Sequence, residues 1–171
     1  MIIPDRKIMR GFLLAVLLCA GLPLRASAVD TGEKAPGFEL QGQQGVVRLS
    51  DVAGSVVYVD FWASWCGPCR QSFPWMNQLQ EKYRAKGLKV IAVNVDARTE
   101  DAKKFLAQNP AAFTIAFDPK GATPAGYGVK GMPTSFLVGK DGKVIFRHQG
   151  FNPAEKEKIE NEIKSALEAR K

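Results

Sequence analysis

Two cysteines separated by two residues are the side chains of this 171-residue chain that are best suited to chemistry. They are Cys66 and Cys69, in the segment Trp65-Cys66-Gly67-Pro68-Cys69. Cysteines at this spacing can form a disulfide and reopen it, or they can bind a soft metal ion through their thiolates. They are too close in sequence to stabilise a domain as a structural bridge, because the loop they would close is very short. The pair therefore indicates an active site.

Metal binding is the first alternative to redox chemistry. A tetrahedral zinc site needs four ligands, and the chain offers a single histidine, His148, to add to the pair. We therefore expect no metal and no cofactor, and we interpret His148 as a surface imidazole without a role. A Cu(I)-handling module remains open as an alternative, since two thiolates suit Cu(I), and a suitably placed third ligand would favour it.

The elements around the cysteines are strongly patterned. A nearly continuous β-branched and aromatic run, 55–62, predicts a strand buried on both faces of a sheet. Helical spacing of apolar residues follows from Cys66 to near Gly87. Cys66 would then lie at the first turn of a helix, where free backbone N–H groups and the helix dipole favour the thiolate. Cys69 would lie one turn inside.

The rest of the chain predicts an α/β fold with a mixed sheet of about five strands flanked by helices. A second buried strand, 88–95, follows the helix and makes a βαβ unit with parallel strands. The other elements are indicated by alternation, turn residues and caps: an N-terminal hairpin over 38–49, a helix over 99–108 capped by Thr99, a strand over 113–117, a Gly/Pro-rich connection over 118–128, a hairpin over 134–148, and a last helix capped by Asn152.

The first 28 residues differ in kind from the remainder. Basic residues precede an apolar run, 11–22, and Ala26-Ser27-Ala28 then supplies the small residues that a signal peptidase reads. This pattern predicts a signal peptide cleaved between Ala28 and Val29, which leaves one domain over 29–171. A membrane anchor is less favoured, because the apolar run is about a dozen residues long and a spanning helix needs roughly 20. Lipidation at Cys19 is disfavoured because Leu18 stands where a small residue is expected.

The chain carries a net charge of +7. Its basic residues alternate with acidic ones, as in Glu155-Lys156-Glu157-Lys158, and no arginine-aromatic pattern of a nucleic-acid surface is visible. We therefore expect a solvated surface and no nucleic-acid partner.

Two motifs resemble thioredoxins. The segment Val59-Asp60-Phe61-Trp62-Ala63-Ser64-Trp65-Cys66-Gly67-Pro68-Cys69 is similar to their active-site strand and helix start, and Gly131-Met132-Pro133-Thr134 is similar to their cis-proline loop. The lead 32–36, the early hairpin, the segment 99–117 and the export signal resemble the TlpA/ResA-like branch of exported oxidoreductases. The resemblance covers about residues 32–170 and implies a thioredoxin-like three-layer fold with an N-terminal β-hairpin and an inserted helix-strand segment.

The resemblance also implies catalytic roles. Cys66 resembles the cysteine that attacks a client disulfide, and Cys69 resembles the one that resolves the mixed disulfide. Asp60 matches the buried acid that takes the Cys69 proton, although a solvated strand-end aspartate is the alternative. Ala92 stands where thioredoxins often have a lysine paired with this acid. Some relatives carry an acid near the cysteines after the second strand, and Asp96, followed by Ala97, is a weak candidate for it.

Client docking is expected around the pair. Gly67 and Pro68 would hold the connecting turn and contact clients there. A cis Pro133 would bring the Met132 backbone beside Cys66, where an extended client segment can pair with it. Trp65 and Met132 would then form an apolar rim, with ordinary packing as the alternative.

The resemblance implies a reductase of disulfides in client proteins. Strong oxidants of this fold carry a histidine between the cysteines, and this chain has Gly67 and Pro68 there. We expect a periplasmic or other extracytoplasmic location, a membrane protein that re-reduces the dithiol, and a monomeric chain. The expected clients are apocytochromes c or copper-site assembly proteins. An oxidase or isomerase on the same fold is the alternative, which the redox potential would distinguish.

Overall fold

The computed structural model describes residues 28–169. The predicted signal peptide, the apolar run over 11–22 and Cys19 lie outside the described residues, apart from Ala28 at the predicted cleavage site.

A seven-stranded mixed sheet forms the centre of the molecule, in the order β2-β1-β5-β4-β3-β6-β7. Its strands are β1 Glu39–Gly42, β2 Gly45–Arg48, β3 Val56–Trp62, β4 Leu88–Asn94, β5 Thr114–Phe117, β6 Thr134–Val138 and β7 Val144–Gln149. The helices are α1 Gly67–Tyr83, α2 Thr99–Gln108, α3 Ala122–Gly126 and α4 Lys156–Glu168, with short 3₁₀ turns at Leu49–Val52, Arg84–Lys86 and Pro153–Glu155.

Strand β3 is the strand that leads to the cysteines, and it lies inside the sheet. It pairs in parallel with β4 and antiparallel with β6, and all seven of its residues are buried. Its β-branched and aromatic composition fits this position, because both faces of the strand pack against apolar side chains. The predicted buried strand and the parallel βαβ unit are confirmed.

The two faces of the sheet pack into two apolar clusters. Tyr58 and Trp62 of β3 face the cluster that includes side chains of α1, α2 and α4. Val57, Val59 and Phe61 face the opposite cluster, which is covered by the N-terminal lead and by residues around Tyr127, just after α3. The alternation along β3 therefore separates a helix-covered face from a face covered by less regular chain, which gives the three-layer arrangement.

The N-terminal hairpin extends this sheet instead of standing beside it. Strand β1 pairs with β5 through Gln41 opposite Phe117 and Gly42 opposite Ala116. The sheet consequently has seven strands where the sequence indicated about five. The Gly/Pro-rich connection expected over 118–128 contains the short helix α3.

Two predicted helix starts are corrected. Thr99 is the first residue of α2 and not its cap; Arg98 holds the cap position and pairs its guanidinium with Asp101 of the first turn, at 2.9 and 3.1 Å. Asn152 does cap, since its side chain accepts a hydrogen bond from the Ala154 N–H at 3.0 Å, but it caps a 3₁₀ turn, and α4 begins only at Lys156.

Candidate active site

Cys66 stands at the joint between β3 and α1. It is the N-cap of α1, with extended backbone angles (φ −82°, ψ 108°), and the Cys69 N–H donates a hydrogen bond to its Sγ at 3.3 Å. Pro68 occupies the first turn, where a residue without an N–H costs the helix nothing. The Cys69 N–H and the positive end of the helix dipole therefore face the sulfur of Cys66, as the sequence predicted.

The two cysteines form a disulfide, with their Cα atoms 5.3 Å apart. Cys66 keeps 6% of its surface exposed, whereas Cys69 has none. Cys66 therefore lies at the surface and Cys69 lies beneath it. An incoming sulfur atom can reach the disulfide only at Cys66.

Asp60 lies on β3, six residues before Cys66. It is 3% exposed, its Oδ2 has no hydrogen-bond partner among the described residues, and burial raises its pKa well above the ordinary value. This corrects the alternative of a solvated strand-end aspartate. Ala92 lies directly opposite Asp60 on β4, so a methyl group occupies the neighbouring position where a cation could have lowered the pKa of Asp60.

Asp96 supports the segment that leads into Cys66. Both oxygens of its buried carboxylate accept from the Ser64 N–H, at 3.0 and 3.2 Å, and the Asn94 side-chain amide donates to it at 2.9 Å. The sequence made Asp96 only a weak candidate and gave no account of this contact. The available signal was its place just after β4, because the carboxyl ends of parallel strands meet at one edge of the sheet.

The proline loop has the backbone that the resemblance implied. The Met132–Pro133 peptide is cis, the Thr134 hydroxyl donates to the Gly131 carbonyl at 2.6 Å, and the Gly150 N–H donates to the Pro133 carbonyl at 2.7 Å. Met132 is partly buried and packs against the core cluster that contains both cysteines. The docking roles of Met132 and Pro133 stay predictions.

The surface beside the cysteines is apolar and open. Trp65 is 71% exposed, the largest value among the exposed large hydrophobic side chains of the described chain, and Gly67 and Pro68 are also exposed. Trp65 therefore offers a large apolar side chain to a molecule that approaches Cys66, and its docking role stays a prediction.

His148 is not the surface imidazole that the sequence indicated. Its side chain is only 12% exposed, its ring stacks on Phe146 with centroids 6.1 Å apart, and its Nε2 lies 3.6 Å from a carboxylate oxygen of Glu155. Strand alternation explains the difference, because it turns His148 and Phe146 toward the helix-covered face. Across residues 28–169, no three His, Cys, Asp or Glu side chains are grouped in a way that could hold a metal ion.

A mixed sheet, a disulfide at the start of the helix after its central strand, and a cis-proline loop before the neighbouring strand together define a thioredoxin-like protein with a Cys-X-X-Cys pair. Residues 30–163 match the family model described as Redoxin. The chain belongs to the redoxin family.

Relatives and solved structures agree with this family. The thiol-disulfide oxidoreductase ResA of Bacillus thuringiensis is 35% identical over 170 residues, which cover 94% of this chain and 96% of the relative. The ResA of Bacillus subtilis is 30% identical over 148 residues, which cover 82% and 83%. A crystal structure from Chlorobium tepidum, assigned as thiol:disulfide interchange protein DsbE, is 68% identical with a TM-score of 0.81 and covers 82% of this chain and 99% of its own.

The described residues contain no helix with the length and apolar character needed to cross a bilayer.

The buried Asp60 predicts a specific pH dependence of stability. Because burial raises its pKa in the folded protein, the folded state holds a proton that the unfolded chain has already lost, and stability falls as pH rises from the ordinary aspartate value through the raised pKa. Asp60→Asn should remove this fall, so the variant should gain stability over the parent by about 1.4 kcal/mol for each pKa unit crossed. Urea denaturation of the oxidised proteins across pH measures it.

Glu39→Gln is the control, because Glu39 should change stability with pH in the opposite direction to Asp60. Arg48 lowers the pKa of the exposed Glu39 carboxyl through a hydrogen bond and charge, so the parent should lose stability relative to this variant as pH falls. Parallel curves for the parent and Asp60→Asn would show that Asp60 is not the buried acid described above.

Asp96→Ala should loosen the segment before Cys66. The substitution leaves the Ser64 N–H without its charged acceptor, so we expect the free energy of unfolding to fall by about 1.5–3 kcal/mol and the Ser64 amide to exchange faster with solvent. Denaturation and amide exchange by NMR measure the two effects. Asp101→Ala, at an exposed ion pair, is the control and should cost about 1 kcal/mol or less. Unchanged exchange at Ser64 would contradict the supporting role.

Proposed function

We propose that the protein is a thiol-disulfide oxidoreductase that reduces disulfides of client proteins through Cys66 and Cys69. The observation that carries the proposal is the position of the Cys66 sulfur at the N-terminus of α1, with the Cys69 N–H directed at it. Thiolate is the attacking form of cysteine, and a helix N-terminus favours that form. The names of the ResA and DsbE relatives support the same reaction class.

The reaction divides between the two cysteines according to their exposure. In the reduced protein, the Cys66 thiolate attacks a client sulfur, a Cys66-client disulfide forms, and the other client sulfur leaves as a thiolate that is then protonated. Cys69 next loses its proton, and its thiolate attacks Cys66 Sγ. The Cys66-client bond breaks, the second client sulfur leaves, and the Cys66–Cys69 disulfide remains. Two electrons pass from the protein to the client.

Asp60 is the proposed base for the Cys69 proton. Its place on β3 turns it toward the helix-covered cluster that also contains Cys69. A carboxyl whose pKa is raised by burial can take a thiol proton near neutral pH and release it again, which an ordinary, fully ionised aspartate does poorly.

Client contact is proposed for the surface around Cys66. Around the start of α1, the exposed residues are Trp65, Gly67 and Pro68. The loop that contains Met132 and Pro133 leads into β6, the strand that pairs with β3. An extended client segment would pair with the backbone of this loop while Trp65 contacts an apolar client side chain.

Location, donor and clients rest on sequence patterns and on the resemblance. The segment 1–28 supports export by a cleaved signal peptide to the periplasm or another extracytoplasmic compartment. Because such compartments are oxidising, a dedicated membrane protein would have to re-reduce the dithiol. We propose apocytochromes c or copper-site assembly proteins as the clients, and a monomeric chain as the working form.

Two serine substitutions test the assignment of the cysteines. Cys66→Ser should abolish reduction of insulin disulfides, because the attacking sulfur is lost. Cys69→Ser should stop after the first step and accumulate a client joined to Cys66, visible on a non-reducing gel and released by dithiothreitol. Cys19→Ser in the full chain is the matched control and should keep full activity. Full reductase activity of Cys66→Ser would refute the proposal.

A further inference from the structure

The end of the sheet that carries Cys66 has a surface of one charge sign. Three segments meet there: 63–71 at the start of α1, 95–98 after β4, and 129–133 before β6. Each segment contributes one exposed basic side chain, and these are Arg70, Arg98 and Lys130. The three segments contain a single carboxylate, Asp96, which is buried and accepts from the Ser64 N–H. The exposed charges of these segments are therefore all positive.

Two of these cations stand on either side of the reactive sulfur. The Arg70 N–H donates to the Cys66 carbonyl at 3.1 Å, so Arg70 lies on the helix side, one turn after Cys66. Lys130 lies on the side of the proline loop, two residues before Met132. Met132 packs against the core cluster that contains both cysteines. A molecule that approaches Cys66 therefore passes between a helix-side cation and a loop-side cation.

The protein does not neutralise these two charges itself. Arg98 is neutralised, because its guanidinium donates two hydrogen bonds to the Asp101 carboxylate at 2.9 and 3.1 Å. Arg70 and Lys130, in contrast, form no ion pair with any carboxylate of residues 28–169. Unpaired charges of one sign at a site raise the local concentration of ions of the opposite sign. Arg70 and Lys130 therefore remain available to an anionic partner.

The surface next to the proline loop does not reverse this balance. The chain returns to that loop after β7, where the Gly150 N–H donates to the Pro133 carbonyl at 2.7 Å. The exposed charges that follow alternate in sign, in the order Glu155-Lys156-Glu157-Lys158. Alternating charges largely cancel one another at a distance. The positive charge of Arg70 and Lys130 therefore dominates the approach to Cys66.

We propose that the clients carry acidic residues beside their reactive cysteine. The inference rests on the proposed reductase function and adds the chemical class of the client to it. The occupant of this surface is an extended protein segment, since Trp65, 71% exposed, offers it an apolar contact between the two cations. An extended chain advances about 3.3 Å per residue, so a carboxylate within two residues of the client cysteine stays within roughly 7 Å of it. Charges at that separation still attract each other at physiological ionic strength.

The cations act on the approach of the client and leave the reaction unchanged. The two electrons pass from the protein dithiol to the client disulfide, the client leaves with two thiols, and the Cys66–Cys69 disulfide remains. Arg70 and Lys130 should therefore change the second-order rate constant according to the charge of the client. A cation that merely favoured the Cys66 thiolate would change the rate with every client in the same way.

The test compares three disulfide-linked peptide dimers as oxidants of the reduced protein, followed by tryptophan fluorescence in a stopped-flow instrument. The dimers have blocked ends and differ only in the residues on both sides of their cysteine, which are glutamate, glutamine or lysine. Each rate constant is divided by that of the same dimer with 2-mercaptoethanol, which corrects for the intrinsic reactivity of the dimer. The corrected rate constant of the glutamate dimer should exceed that of the lysine dimer by about tenfold at low salt. This difference should largely disappear near 1 M NaCl, where the Debye length is about 3 Å.

Arg70→Gln and Lys130→Gln identify the charges responsible. Each should slow the reaction with the glutamate dimer about twofold and accelerate that with the lysine dimer about twofold, as expected for one unit charge roughly 8 Å away in water. The rate with the glutamine dimer should stay that of the parent. The variant with both substitutions should lose most of the preference.

Lys143→Gln is the matched control, since it removes the same unit of charge from an exposed lysine that also forms no ion pair among the described residues. Lys143 precedes β7, whose other end pairs Gln149 with Thr134 beside the proline loop, roughly 20 Å away. This variant should keep the preference of the parent.

Four results would each overturn the proposal: equal corrected rates of the parent with the glutamate and lysine dimers, a preference that persists at 1 M salt, a loss of preference in Lys143→Gln as large as in Arg70→Gln, or equal changes with all three dimers. Failure of the proposed function looks different. The reduced parent would then react with none of the dimers, or Cys66→Ser would react as fast as the parent.

Discussion

The start of α1 directly after a buried strand is the constraint on which the rest of the site depends. Strand β3 is paired on both sides, with β4 and with β6, which holds the joint at its end in place. The helix that starts there directs the Cys69 N–H at the sulfur of Cys66. A sulfur in that position is favoured as an anion and remains reachable, while Cys69, one turn later, is buried. Asp96 fixes the same joint from the neighbouring strand by accepting from the Ser64 N–H.

Opposite electrostatic environments lie within a few residues of each other. The helix N-terminus favours negative charge at Cys66, whereas the apolar surroundings of Asp60 disfavour it. Such a pairing suits a reaction in which one thiol must already be ionised and the other must lose its proton only after the mixed disulfide has formed. Ala92 matters here, because a cation at that position would keep Asp60 ionised and remove the difference.

Local patterns predicted the parts of this structure that local interactions determine. The strand before the cysteines, the helix start at Cys66 and the β6–β7 hairpin followed from apolar spacing and turn residues. Pairing between distant strands could not be read in this way. The attachment of β1 to β5 and the contact of Asp96 with Ser64 both depend on how distant strands lie next to each other, which one sequence does not reveal. The burial of His148 was missed because alternation along β7 places it on the same face as Phe146, but only the folded structure shows that helices cover that face.

The equilibrium potential of the Cys66–Cys69 pair against glutathione decides whether the pair acts as a reductant. A helix N-terminus makes a dithiol more oxidising, but the Gly67-Pro68 insert adds no further positive charge beside Cys66. We expect a potential near that of thioredoxin, about −270 mV. A value near about −120 mV, as in the strong oxidant DsbA, would contradict it and make the protein an oxidase.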